Sequence, residues 1–104
     1  MATPHPRVLT VSPKELLILD LLVRGKELYG LQLVEASKGK LKRGTVYVTL
    51  GRMEDKGFIG STLEDAPPGL GGMPRRIYTS TALGRRMLKA WTGGARRLML
   101  EFAR

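Results

Sequence analysis

Apolar residues along this chain keep a helical period through the first half, shift to a shorter period in the middle, and return to a helical stripe at the end. Ser12-Pro13-Lys14-Glu15 marks the first helix start: a serine to cap it, proline at the first helical position, and a glutamate placed to complete a capping box. That helix is expected to run to about Arg24, with Gly25 stopping it. Leu16, Leu17, Ile18, Leu19, Leu21, Leu22 and Val23 make it apolar almost all round, which places it in a core or between subunits. A second helix is expected from Tyr29 or Gly30 to Ser37, with Leu31, Leu33, Val34 and Ala36 as its apolar residues and Gly39 at its end. Residues 38–43 form a short basic turn. The third helix is expected from Gly44 to Lys56, closed by Gly57. Val46, Leu50 and Met53 stand at i, i+4 and i+7 and share its buried face. Thr45, Val48, Thr49 and Arg52 fall on the far side, which lacks the glutamates and lysines of an ordinary solvated face.

Beyond Gly57 the pattern changes. Phe58-Ile59 and Ser61-Thr62-Leu63 read as a short strand, Ala66 to Pro74 as a Pro/Gly-rich loop, and Arg75-Arg76-Ile77-Tyr78-Thr79 as the return strand of a hairpin with a long tip. Thr81 caps a last helix from Ala82 onward. Leu83, Met87, Leu88, Trp91, Ala95, Leu98 and Phe102 form its apolar stripe, with Arg85, Arg86, Lys89, Arg96, Arg97 and Arg104 opposite. The phase survives Gly93-Gly94, so one helix is expected through them; each glycine weakens it by about 1 kcal/mol, and a break there is the main alternative. This divides the chain into a flexible arm (1–11), a compact unit (12–81) and a terminal helix (82–104).

Composition narrows the function classes. A chain of 104 residues is one domain and only marginally stable alone, so a partner subunit would help. Without cysteines it has no disulfides, thiolate metal sites or cysteine nucleophiles, which fits a reducing cytoplasm. The only histidine, His5, lies between prolines in the arm. No Ser/His/Asp set, metal cluster or phosphate-binding glycine loop is present, which argues against an enzyme and against a cofactor. No apolar run is long enough to span a bilayer, and the N-terminus lacks the apolar segment of a signal peptide. The net charge of +9, from 18 Lys and Arg against nine acids, favours a polyanionic partner: DNA, RNA or an anionic membrane surface.

The element order (three helices, strand, loop, strand, helix) is the layout of a mainly α (α+β) winged helix-turn-helix. In that layout the third helix enters the DNA major groove and the loop between strands touches the flanking backbone. Only small or reaching side chains on its outer face approach base edges. Thr45, Val48, Thr49 and Arg52 meet that need. Arg52 can pair with guanine or phosphate, and Val48 can meet a thymine methyl. Lys40, Lys42 and Arg43 before the helix, and Arg75 and Arg76 at the base of the wing, are placed to neutralise phosphates.

Gly44-Thr45-Val46-Tyr47 with Leu50, Arg52-Met53-Glu54 and Lys56-Gly57-Phe58-Ile59 resembles the recognition-helix signature of PadR-type transcriptional regulators. Tyr29-Gly30 resembles the aromatic–glycine pair opening their second helix. Pro74-Arg75-Arg76-Ile77-Tyr78, with Thr79, Thr81 and Gly84-Arg85, resembles their wing strand and last-helix start. The resemblance implies a bacterial homodimeric repressor acting at a near-palindromic site in double-stranded DNA, sometimes relieved by a small ligand. It implies a reading set of Thr45, Tyr47, Val48, Thr49 and Arg52 with the wing arginines Arg75 and Arg76, where Tyr47 contacts backbone from the helix flank. The sequence departs from the pattern at Lys42, where a capping Ser or Thr is expected, and at Val48, where a proline often follows the tyrosine. With its last helix ending at Arg104, it resembles the short-form members, which carry a single C-terminal helix.

The terminal stripe argues for dimerisation independently. Leu83, Met87, Trp91, Leu98 and Phe102 must be buried or form a large exposed patch, and a two-fold partner with the apolar first helix is the natural cover. Trp91, Met87 and Met99 are candidates for lining an apolar effector pocket at that seam, although such residues at helical spacing usually serve as packing. The alternative is a basic amphipathic module that binds an anionic membrane or a protein partner through the arginine face of the last helix. It leaves the uncharged outer face of the third helix and the Pro/Gly wing unexplained. An RNA-binding winged helix is a further rival, weakened by the scarcity of aromatics for stacking.

Overall fold

A computed structural model of the chain describes residues 10–65 and 74–102, with side chains as far as 93. His5, the rest of the arm before Thr10, the wing-tip residues 66–73, and the side chains of Leu98, Met99 and Phe102 lie outside the described residues. The order is α1 (Pro13–Gly25), β1 (Glu27–Tyr29), α2 (Gly30–Ala36), α3 (Arg43–Asp55), β2 (Ile59–Glu64), β3 (Arg75–Ser80) and α4 (Ala82–Phe102). Three helices and an antiparallel hairpin form the expected winged helix-turn-helix, with one strand more than the sequence pattern reveals.

The start of α1 forms as its residues dictate. Ser12 caps it, the Glu15 N–H donating to Ser12 Oγ at 3.2 Å and the Ser12 N–H donating to Glu15 Oε1 at 2.8 Å. Its end differs from expectation. Gly25 is the last helical residue, and Lys26 takes the positive φ of 68° while its N–H donates to the Leu22 carbonyl. This turn directs the chain into β1, whose three residues are too few to show an alternating pattern. β1 pairs antiparallel with β3 (Leu28 opposite Tyr78), and β3 pairs with β2 (Ser61 opposite Tyr78), giving the sheet order β1-β3-β2. The return strand is therefore central, and the hairpin is anchored to the helices through β1.

Ile18, Leu19 and Leu22 of α1, Leu33 of α2, Val46, Leu50 and Met53 of α3, and Phe58, Ile59 and Tyr78 of the hairpin form the core. Full burial of one such aliphatic or aromatic side chain contributes about 1.5–3 kcal/mol. Val11, assigned above to the arm, is buried in this core. Thr81 fixes the next junction: its N–H donates to the Phe58 carbonyl at 3.0 Å, its hydroxyl donates to the Gly57 carbonyl at 2.6 Å, and it accepts from the Gly84 N–H at 3.0 Å. Gly84 must be glycine, because a Cβ there would collide with the Phe58 carbonyl oxygen. α4 then runs unbroken through Gly93-Gly94. No helix among the described residues is long and apolar enough to cross a membrane.

Candidate nucleic-acid interface

α3 divides as its phase predicts. Val46, Leu50 and Met53 are buried, while Thr45, Tyr47, Val48 and Arg52 are exposed and Thr49 is half-buried. Thr45, Val48, Thr49 and Arg52 line one open groove of about 630 Å³, whose other wall is the segment from Thr10 to Glu15 with Lys56. Val48 is 57% exposed, an unusual position for a branched aliphatic residue on a helix that already has a buried face. Two further positions of α3, Gly44 and Gly51, have open space where a Cβ would lie. Glycine inside a helix costs about 1 kcal/mol relative to alanine, and among the described residues no packing requires it at either position. The Thr49 hydroxyl turns back toward the Thr45 carbonyl at 3.4 Å.

The edges of this face carry cations. Lys40, Lys42 and Arg43 are all exposed. Lys42 is the N-cap residue of α3 and makes no side-chain cap bond, in keeping with the missing Ser or Thr. At the far end of α3, Lys56 donates to both Glu15 carboxylate oxygens (2.9 and 3.0 Å) and to the Thr10 carbonyl at 3.0 Å. This clamp fixes α3 against the start of α1. Burial acts to raise the Glu15 carboxyl, but the Ser12 backbone N–H and Lys56 outweigh it and hold it below the usual carboxylate value. The clamp was not legible in the sequence, where Glu15 reads as a cap alone and Lys56 as a helix-terminal charge.

The wing arginines are not equivalent. They are neighbours on β3 and so point to opposite faces of the sheet. The Arg75 guanidinium lies 4.3 Å from the centroid of the Tyr29 ring, and Tyr29 Oη donates to Glu64 on β2. That bond raises the Tyr29 phenol above its ordinary value. Arg76 instead donates to Ser61 Oγ at 3.0 Å, and Ser61 in turn donates to Glu54 Oε2 of α3 at 2.9 Å. Both arginines line a cleft of about 410 Å³ between the wing, α2 and α3, together with Tyr29, Gly30, Leu31, Gln32, Tyr47 and Pro74. Tyr47 sits on the flank of α3, half-exposed, with its ring over Gly30; a Cβ at Gly30 would come within 2.6 Å of it. The missing side chain at Gly30 thus lets Tyr47 of α3 approach the start of α2 closely. Tyr29 itself had no role assigned from the sequence, since its partners lie on β2 and β3, far along the chain.

On α4, Leu83, Met87 and Leu88 are half-buried against the core, as are Leu16, Leu17 and Leu21 of α1. Trp91 is 45% exposed. Of the predicted seam, Leu83, Met87 and Trp91 are described; Leu98 and Phe102, and with them the effector candidate Met99, are not.

A family model for the transcriptional regulator PadR-like family matches residues 18–90. Among solved structures, the chain is similar to a PadR family transcription regulator from Clostridium difficile R20291, with 27% identity and a TM-score of 0.66 over 86% of this chain and 96% of that one. It is similar to Bacillus subtilis PadR in complex with operator DNA, with 28% identity and a TM-score of 0.64 over 74% of this chain and 44% of that one. A PadR family transcriptional regulator from Eggerthella lenta DSM 2243 shares the fold, with 24% identity and a TM-score of 0.69 over 86% of this chain and 80% of that one. No curated protein sequence matches the chain. The family and these neighbours are transcription regulators rather than enzymes. Because the family match runs from α1 through α3 and the β2–β3 hairpin into α4, the chain belongs to the PadR-like family of transcriptional regulators.

Proposed function

We propose that the protein is a sequence-specific, double-stranded DNA-binding repressor that acts as a homodimer in the bacterial cytoplasm. The observation that carries this reading is the outer face of α3: Thr45, Val48, Thr49 and Arg52 share one open groove. Lys40, Lys42 and Arg43 stand exposed before it. Small side chains, and two glycines with open space beside them, let a helix lie deep in a major groove, and cations at its edges meet phosphates. The B. subtilis neighbour was solved in complex with operator DNA, which supports DNA binding here.

In this reading the DNA-binding unit runs to residue 81 and takes in Val11 of the core as well as 12–81, the arm is what precedes it, and 82–104 is the dimerisation helix. Leu83, Met87 and Trp91 would meet their counterparts across a two-fold axis beside Leu16, Leu17 and Leu21. Two reading helices would then enter successive major grooves about 34 Å apart. Trp91, Met87 and Met99 would line that seam, where an apolar effector would act.

A salt-dependent titration tests the reading. One duplex carries the protein's own upstream region, the other is random and of equal length, and anionic vesicles serve as a third target. Tighter binding to the upstream duplex that persists as salt rises supports a self-regulating repressor. Vesicle binding stronger than either duplex would favour the basic amphipathic module instead.

A further inference from the structure

The wing cleft has a feature that charge alone does not require. Glu64 lies directly opposite Arg75 in the β2–β3 register, the position from which a carboxylate would ordinarily pair with the guanidinium. Instead the Tyr29 hydroxyl takes Glu64 Oε1, and the Tyr29 ring takes the face of the guanidinium at 4.3 Å. A guanidinium stacked by its face keeps its N–H groups in the plane, where they match the paired oxygens of a phosphate. The cleft beside it is lined by Tyr47 and Arg76 and is large enough for a phosphodiester. Tyr29 is held in turn by β1–β3 pairing and by its N–H donating to Gln32 Oε1 at 2.8 Å.

We infer that this cleft is a backbone-phosphate site of the DNA complex and that Tyr29 is its positioning residue: the ring orients Arg75, and the hydroxyl keeps Glu64 from neutralising it. The inference rests on the DNA-binding reading above. Arg75 and Arg76 have unequal parts in it. Arg75 is the pre-oriented donor, while Arg76 is drawn through Ser61 toward Glu54.

The test is a set of full-length variants titrated with one duplex over a range of salt, with thermal unfolding followed in parallel. Tyr29→Phe keeps the stack but frees Glu64 to pair with Arg75. It is expected to weaken binding about three- to tenfold and to reduce the salt slope by about 0.9, the loss of one phosphate contact. Adding Glu64→Gln to Tyr29→Phe should restore both. Arg75→Gln should show the same loss, and adding Tyr29→Phe to it should cost nothing further. A role in stability alone would move the melting temperature without this rescue. The proposal is overturned if Tyr29→Phe keeps the wild-type affinity and slope, or if the Tyr29→Phe and Arg75→Gln losses simply add. A wild-type protein that binds no duplex at low salt overturns the DNA reading itself, a result distinct from either of these.

Discussion

The outer face of α3 and the free edge of α4 both leave large apolar side chains in solvent, yet in the proposed reading they meet different partners. On α3, Tyr47 is 50% and Val48 57% exposed; on α4, Trp91 is 45% exposed. Around Val48 the neighbours are threonines, an arginine and glycines with empty space beside them. On the preceding turn the helix neighbours of Trp91 are bulky: Met87 and Leu88 already pack against the core, while Gly94 and Ala95 follow one turn on. Exposure by itself does not name a partner. Small residues edged by cations admit a deep, anionic surface, whereas a continuous stripe of large side chains calls for another protein surface.

The sharpest way to break this comparison is a charge on the α4 edge. Trp91→Arg would bury an unpaired charge at the seam and weaken association by about 3–5 kcal/mol, giving folded monomers at micromolar protein in sedimentation. A dimer surviving there removes α4 from the interface. On α3, Arg52→Ala should lower affinity for a specific duplex by about 1–3 kcal/mol if the side chain pairs bidentately with guanine. A ratio of specific to non-specific binding equal to wild type would place Arg52 on the backbone instead.

The clamp behind α3 gives a third prediction. Lys56→Met leaves the buried Glu15 without its ammonium partner and should cost about 1–3 kcal/mol in urea unfolding. Glu15 also sets a pH dependence. Its carboxyl is held below its ordinary value in the folded protein, so its contribution is complete above that ordinary value and is lost as pH falls through the folded one. Glu15→Gln should flatten that part of the acid limb. The smallest effect is the most pointed: Gly51→Ala should raise stability by about 0.5–1 kcal/mol, since nothing lies within 4 Å of the added methyl. If α3 lies deep in the groove, the same variant loses DNA affinity; unchanged affinity would mean that Gly51 stays clear of the DNA.

The elements with a clear period were readable in the chain itself. Val46, Leu50 and Met53 fixed the phase of α3, and the capping box at Ser12 and the cap at Thr81 located two helix starts. What escaped was made by tertiary contact. β1 is three residues long and exists because β3 pairs with it. Gly25 reads as a stop signal, but Lys26 takes the left-handed turn. Arg75 and Arg76 read as a pair of equal charges until the β-strand alternation separates them and Tyr29, 46 positions before Arg75, claims one. The Lys56–Glu15 clamp joins residues 41 apart, a distance at which no local pattern operates.

Selection of binding sites from a pool of random duplexes tests the central claim most directly, because it assumes no operator in advance. If α3 reads sequence in a two-fold dimer, the selected pool will converge on an inverted repeat. Its half-sites will have centres about 10 base pairs, one helical turn, apart. Arg52→Ala will relax the preference at one position of each half-site while leaving the spacing intact. Retention of DNA through every round with no enriched sequence would contradict the account, since it would leave the +9 charge finding phosphates and α3 reading nothing.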